Sequence, residues 1–119
     1  MLLKDKTAII TGGGRGIGRG IAHRFAVEGA RVVLAQRDPE SGNRTQEEIE
    51  TAGGTALFVQ TDVAQRDAVE HLVEVTSKRF GGIDILINNA GITGLNFFFR
   101  QCFHRPLAND AKASESRDF

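Results

Sequence analysis

The segment Thr11 to Gly18 reads T-G-G-G-R-G-I-G, and it restricts the fold more tightly than any other stretch of the chain. It follows Thr7 to Ile10, a short β-branched and apolar run suited to a buried strand. It precedes a segment in which Ile17, Ile21, Ala22, Phe25 and Ala26 recur at helical spacing. A strand that passes through glycines directly into a helix lets backbone approach a ligand closely. It also presents the unpaired N–H groups and partial positive charge of the helix N-terminus. The ligand such a turn suits is a dinucleotide pyrophosphate. Spacing separates two alternatives. A P-loop needs Lys and then Ser or Thr after its last glycine, whereas Arg19 and Gly20 follow Gly18. The G-x-G-x-x-G registers opened at Gly12, Gly14 and Gly16 meet Ile17, Arg19 and Ile21 at the final position. The pattern that fits is T-G-x-x-x-G-x-G on Thr11, Gly12, Gly16 and Gly18.

The rest of the chain repeats the strand-then-helix alternation as far as Asn88. The helix from Ile17 is expected to end on Gly29 in a left-handed conformation. Arg31 to Ala35 is an unbroken apolar run, as expected of a parallel strand covered on both faces. Glu40 to Ala52 is polar, rich in helix formers and closed by Gly53 and Gly54. Thr55 to Gln60 reads as a third strand. Arg66 to Phe80 spaces Val69, Leu72, Val73 and Phe80 for one buried helical face stopped by Gly81 and Gly82, and Asp84 to Asn88 reads as a fourth strand. Strands alternating with helices on short loops imply right-handed βαβ units. The fold class is therefore α/β, a partial Rossmann-like, doubly wound parallel sheet of about four strands with helices on both faces, in the order three-two-one-four. Residues 1–94 are expected to form this half-domain. After Gly94 a cluster of Phe97, Phe98, Phe99 and Phe103 gives way to a polar stretch, and residues 95–119 are expected to be irregular or disordered.

The T-G-x-x-x-G-x-G turn resembles that of the short-chain dehydrogenase/reductase family, and two more segments match the family pattern in order. Asp62-Val63 follows strand three, where the family's aspartate contacts the adenine. Asn88-Asn89-Ala90-Gly91 follows strand four and matches the N-N-A-G segment that stabilises the sheet and borders the cofactor. The resemblance covers about residues 5–94 and implies a nicotinamide dinucleotide as partner. Gly12, Arg15, Gly16, Ile17 and Gly18 are expected at the pyrophosphate, with Asp62, Val63, Asn88, Ala90 and Gly91 lining the cofactor. Plainer roles stay open: Asp62 as an N-cap for a segment beginning near Ala64, and Asn88 and Asn89 as purely structural residues. At the end of strand two an acid would accept hydrogen bonds from the ribose hydroxyls of NAD. Gln36 stands there, followed by Arg37 and with Arg15 in the turn, so two guanidinium groups can flank the 2′-phosphate of NADP. NADP(H) is favoured over NAD(H), although Asp38 places an acid one residue further on.

The family's parent reaction is hydride transfer between a nicotinamide and a carbonyl or alcohol. It uses a serine and a Y-x-x-x-K pair as its acid/base site. The 119 residues contain no tyrosine, and Lys112 has Ala108 four positions before it. The reading is thus of a truncated family member with no catalytic residues of its own, inactive alone. Alternatives are a non-catalytic fragment that associates with itself or with full-length relatives, or a degraded product without function.

Nothing else in the sequence supplies another chemistry. His23, His71 and His104 are far apart and fit neither metal spacing nor a nucleophile with its base, and His23 and His71 are expected on helix surfaces. Cys102 is a lone thiol. Fifteen basic side chains balance fifteen acidic ones, so no net field draws the chain to nucleic acid or an anionic membrane. The start, Met1 to Lys6, has the pattern of neither a signal peptide nor a membrane span, and a cytoplasmic location is expected.

Overall fold

A computed structural model of the chain describes residues 1–12, 14 and 16–89. Four parallel strands, β1 (Thr7–Thr11), β2 (Arg31–Gln36), β3 (Thr55–Gln60) and β4 (Ile85–Ile87), alternate with α1 (Gly16–Val27), α2 (Pro39–Thr51) and α3 (Arg66–Phe80). The sheet order is β3-β2-β1-β4. Ile9 lies opposite Val33 and Leu86, and Ile10 opposite Leu34 and Ile87. The expected architecture and strand order are what the chain adopts. Every residue of β1 is buried, as a central strand covered on both faces requires.

Alternation along the strands sorts the core into two halves. Ile9, Val33, Ala35 and Val59 face α3 and pack with Val69, Leu72 and Val73. Ile10, Val32, Leu34 and Ala56 face the other side and pack with Ala22 of α1 and Ile49 of α2. Each aliphatic side chain taken fully from water contributes about 1.5–3 kcal/mol before conformational entropy is charged against it.

Element ends follow local chemistry. Gly29 and Gly81 adopt φ of +93° and +85° after α1 and α3, the left-handed conformation expected of helix-ending glycines. α2 starts at Pro39, one residue before the expected Glu40. Asp38 caps it by accepting from the amides of Glu40 and Ser41, and proline at the first helical position forfeits no hydrogen bond. β4 is shorter than the expected Asp84 to Asn88. The Asp84 amide donates to the Thr7 carbonyl and its carboxylate accepts the Thr7 amide, each at 2.9 Å, while beyond Ile87 the Asn89 amide donates to Thr11 Oγ1 at 2.9 Å, so a side chain supplements the backbone pairing at one end and replaces it at the other. The expectations for residues 95–119 lie outside the described residues.

Candidate functional site

The β1–α1 connection lies at the carboxyl ends of the strands, where the order reverses. β1 leads to β2 on one side, while the chain leaving β3 crosses to β4 on the other. Side chains and loops diverge at such a switch point and leave a crevice above the sheet. The glycines there are used for close approach. Gly12 has φ +67° and Gly16 φ +50°, conformations that side chains rarely adopt. Gly18 lies so close beneath the Gly12 carbonyl that a Cβ would overlap its oxygen, and the same Cβ would stand 2.7 Å from Asn89 Nδ2.

Bonds from three directions hold this turn. From β2, the Ala35 carbonyl accepts the Gly12 amide at 2.8 Å. From the β4 side, Thr11 Oγ1 donates to the Ile87 carbonyl at 3.3 Å and accepts from the Asn89 amide. Next to Ala35, Gln36 Oε1 at the end of β2 accepts the Gly14 amide, and from α2 Thr45 Oγ1 donates to the Gly14 carbonyl at 3.2 Å.

Beside the turn, at the ends of β2 and β3, Arg37, Asp38, Gln60 and Asp62 line an open hollow of about 520 Å³. Gln60 Nε2 fixes the Arg37 carbonyl at 3.0 Å, and the Arg37 side chain is exposed. The Asp38 carboxylate is turned to α2, where it accepts from the amides of Glu40 and Ser41 and, at 2.8 Å, from Ser41 Oγ. Asp62 accepts the Ala64 amide at 3.0 Å, as the N-cap alternative anticipated, but that turn precedes α3, which begins at Arg66 behind Gln65.

The sequence-derived residues therefore divide. Gly12, Gly16 and Gly18 meet at the turn, and Ile17 stands beside them with 77% of its surface exposed. Arg37 and Asp62 meet in the hollow. Asn88 is exposed beyond β4. Val63 is 6% exposed and its side chain belongs to the core on the α3 side. An aliphatic group after a strand end is drawn to the nearest apolar face. Arg15, Ala90 and Gly91 lie outside the described residues. His71 is exposed as expected, whereas His23 is half-exposed with Nε2 2.9 Å from Glu48 Oε1. Among the described residues no group of three metal-ligating side chains occurs, and no helix is long and apolar enough to cross a membrane.

Sequence reasoning did not find Thr45 or the bracing role of Gln36. Thr45 sits in a polar helical stretch, and only its complete burial separates it from a solvent-facing residue. At Gln36 the sequence shows the missing acid but not the side chain's bond to the Gly14 amide. Asn89 was legible as part of N-N-A-G, but not its position over both Gly12 and Gly18.

Comparison with known proteins agrees with this geometry. The family model for short chain dehydrogenase matches residues 6–105. An uncharacterized oxidoreductase of Thermotoga maritima is 41% identical over 89% of this chain and 40% of its own length. The L-rhamnose 1-dehydrogenase (NAD(P)(+)) of Azotobacter vinelandii is 45% identical over 82% of this chain and 40% of its own. Among solved structures, a hydroxysteroid dehydrogenase from Escherichia coli superposes with a TM-score of 0.80 at 31% identity, covering 84% of this chain and 51% of that one. A metagenomic short-chain oxidoreductase in complex with NADP superposes with a TM-score of 0.73 at 38% identity, covering 77% and 42%. The chain thus spans about 40% of the length of the curated relatives it matches. With its glycine turn, its strand order and a family match over most of its residues, this chain belongs to the short-chain dehydrogenase family.

Proposed function

We propose that residues 1–94 form a dinucleotide-binding half-domain that holds NADP(H) in preference to NAD(H). The pyrophosphate would lie on Gly12, Arg15, Gly16, Ile17 and Gly18, and the adenosine 2′-phosphate against Arg37. Asp62, Val63, Asn88, Ala90 and Gly91 complete the cofactor's surroundings, Val63 through its backbone. The close packing of Gly18 under the Gly12 carbonyl supports this fit, because it sets the N-terminus of α1 directly against the turn, where its free amides can meet a phosphate.

The observation that carries the NADP preference is the division of labour between Gln36, Arg37 and Asp38. Reading the ribose hydroxyls of NAD calls for a carboxylate at the end of β2. Gln36 has none, and the Asp38 carboxylate is engaged as the cap of α2. The exposed Arg37 guanidinium remains at the hollow, and it is suited to the dianionic 2′-phosphate. A similar protein solved with NADP adds support.

When bound, the nicotinamide supplies or accepts a hydride. In the parent reaction its counterpart is a carbonyl or an alcohol, which is the proposed activity of the whole family protein. The 119 residues contain no tyrosine for a Y-x-x-x-K site, so by themselves they bind cofactor without turnover.

Titration of the purified chain with NADPH and NADH, followed by nicotinamide fluorescence, tests the reading; with no tryptophan in the sequence, protein emission does not interfere. NADPH is expected to bind more tightly. Arg37→Ala is expected to weaken NADPH about tenfold, the loss of one charge-assisted contact, while leaving NADH within about twofold. Equal affinities that Arg37→Ala does not separate would remove the preference. No saturable binding of either nucleotide would remove the function.

A further inference from the structure

One residue of the glycine turn, Gly14, is held at both its amide and its carbonyl, from the end of β2 and from α2. The Gly14 amide donates to Gln36 Oε1, and the Gly14 carbonyl accepts from Thr45 Oγ1 at 3.2 Å. Neither grip faces bulk water: Gln36 is 8% exposed and Thr45 0%. A Cβ at Gly14 would overlap the Gln36 carboxamide and force it out of this position.

The Gln36 carboxamide is itself held in one orientation. Its Nε2 donates to the Asp38 carbonyl at 2.8 Å and to Ser41 Oγ, which passes its own proton to Asp38 Oδ2 at 2.8 Å. Turning the amide over would set Nε2 against the Gly14 N–H and Oε1 against the Asp38 carbonyl, two donor–donor and acceptor–acceptor clashes in place of two bonds. The bonds therefore run in one direction, from the turn through Gln36 and Ser41 to the Asp38 cap. Thr45 adds a second connection one helical turn along α2.

From this arrangement we propose that Gln36 and Thr45 are positioning residues for the dinucleotide: a clamp from β2 and α2 that fixes the Gly14 peptide and pre-forms the glycine turn before the pyrophosphate arrives. The inference rests on the dinucleotide-binding reading above and adds to it the residues that set the shape of the turn. Glycines lose more backbone freedom on ordering than any other residue. A turn composed of them and left unclamped would have to be ordered by the ligand, at the expense of affinity. Gln36 is thereby more than the absence of an acid at the end of β2, because its side chain is committed inward to the turn.

The test uses the full chain with Thr45→Val, which keeps the shape and removes the donor, Thr45→Ser, which keeps the donor and removes a buried methyl, and Gln36→Met. Thr45→Val and Gln36→Met are expected to raise the Kd for NADPH roughly five- to tenfold, the size of one lost buried hydrogen bond. The Kd of Thr45→Val for 2′-AMP, which lacks the pyrophosphate, is expected to stay within about twofold, since Thr45 bonds the Gly14 carbonyl and does not line the Arg37 hollow. Thr45→Ser is expected to bind NADPH like the parent despite a lower unfolding midpoint. Unchanged NADPH affinity in Thr45→Val, equal weakening of NADPH and 2′-AMP by Thr45→Val, or a Thr45→Ser chain as weak as Thr45→Val would each overturn the clamp. Gly14 amide exchange, followed by NMR without ligand, keeps this separate from the function itself. The clamp requires slow exchange in the parent chain and faster exchange in Gln36→Met, which removes the acceptor of that amide. Should no dinucleotide bind the parent chain, the proposed function fails and the Gly14 amide still decides the clamp: free-peptide exchange in the parent overturns it.

Discussion

On the α3 side of the sheet, Ile9, Val33, Ala35 and Val59 meet Val69, Leu72 and Val73. The buried hydroxyl of α3, Thr76, is satisfied within its own helix by the Leu72 carbonyl at 2.7 Å. On the α1 and α2 side the aliphatic layer is joined by directional bonds that leave the helix. Thr45 reaches the glycine turn, Gln46 Oε1 accepts the Phe58 amide of the edge strand β3 at 2.6 Å, and Glu48 binds Arg19 and His23 of α1. Apolar burial is non-directional and seats a helix on a sheet without fixing anything beyond it. Hydrogen bonds fix angles. The face that carries the turn is the one stitched by them, and α2 is the helix whose placement reaches the site.

Substitutions on the two faces should therefore separate stability from binding. The largest effect is expected from Leu72→Ala, which opens a cavity in the apolar face of α3 and should cost about 2–5 kcal/mol of unfolding free energy, measured by urea denaturation. The fraction that stays folded should bind NADPH with the parent Kd. A Kd that worsens in the folded fraction would show that α3 also shapes the site and would break the contrast. Gly18→Ala comes next, on the other face. Its methyl overlaps the Gly12 carbonyl and presses on Asn89, at about 1–3 kcal/mol for overpacking. Because the displaced atom belongs to the turn, the loss should be read in the NADPH titration as a roughly ten- to hundredfold rise in Kd. An unchanged Kd would mean that the turn tolerates a side chain and that close approach is not its purpose.

The same contrast explains what the sequence made legible. Apolar patterning reports burial and makes most of the seven elements legible, α2 through its helix formers and closing glycines instead, and the left-handed glycines at Gly29 and Gly81 mark two helix ends. The turn was legible because glycine spacing encodes backbone geometry directly. The polar stitching was not, since Thr45, Gln46 and Glu48 look like any solvated helical run. Their partners at Gly14, Phe58 and Arg19 are set by how α2 crosses the sheet, which no local pattern encodes. β4 is shorter than its composition predicts for a related reason: beyond Ile87 the Asn89 amide turns to the Thr11 hydroxyl, a bond that strand composition does not show.

The smallest expected effect tests the outer stitch. Glu48 accepts from Arg19 Nε at 3.0 Å and Nη2 at 2.7 Å, and its Oε1 lies 2.9 Å from His23 Nε2. The hydrogen bond from Arg19, and after it that from His23, lowers the Glu48 carboxyl from 4.5 to about 2. In the unfolded chain these partners are lost and the ordinary value returns, so the folded state favours the ionised form. The stabilisation is complete above the unfolded value, falls as pH drops from about 4.5 towards 2, and is absent below it. Glu48→Gln keeps the shape and removes the charge. It should lower the thermal midpoint slightly at pH 7, with the difference from the parent narrowing through that acid window. The three side chains are 31–45% exposed, so the difference should also shrink in 1 M salt, where screening acts over about 3 Å. NADPH binding should stay at the parent value, because this pair ties α1 to α2 on the outside while the Gly14 clamp lies inside. A difference that persists unchanged at pH 2 would assign the contact to packing. A weakened Kd would extend the stitched face outward from the clamp to the first turn of α1.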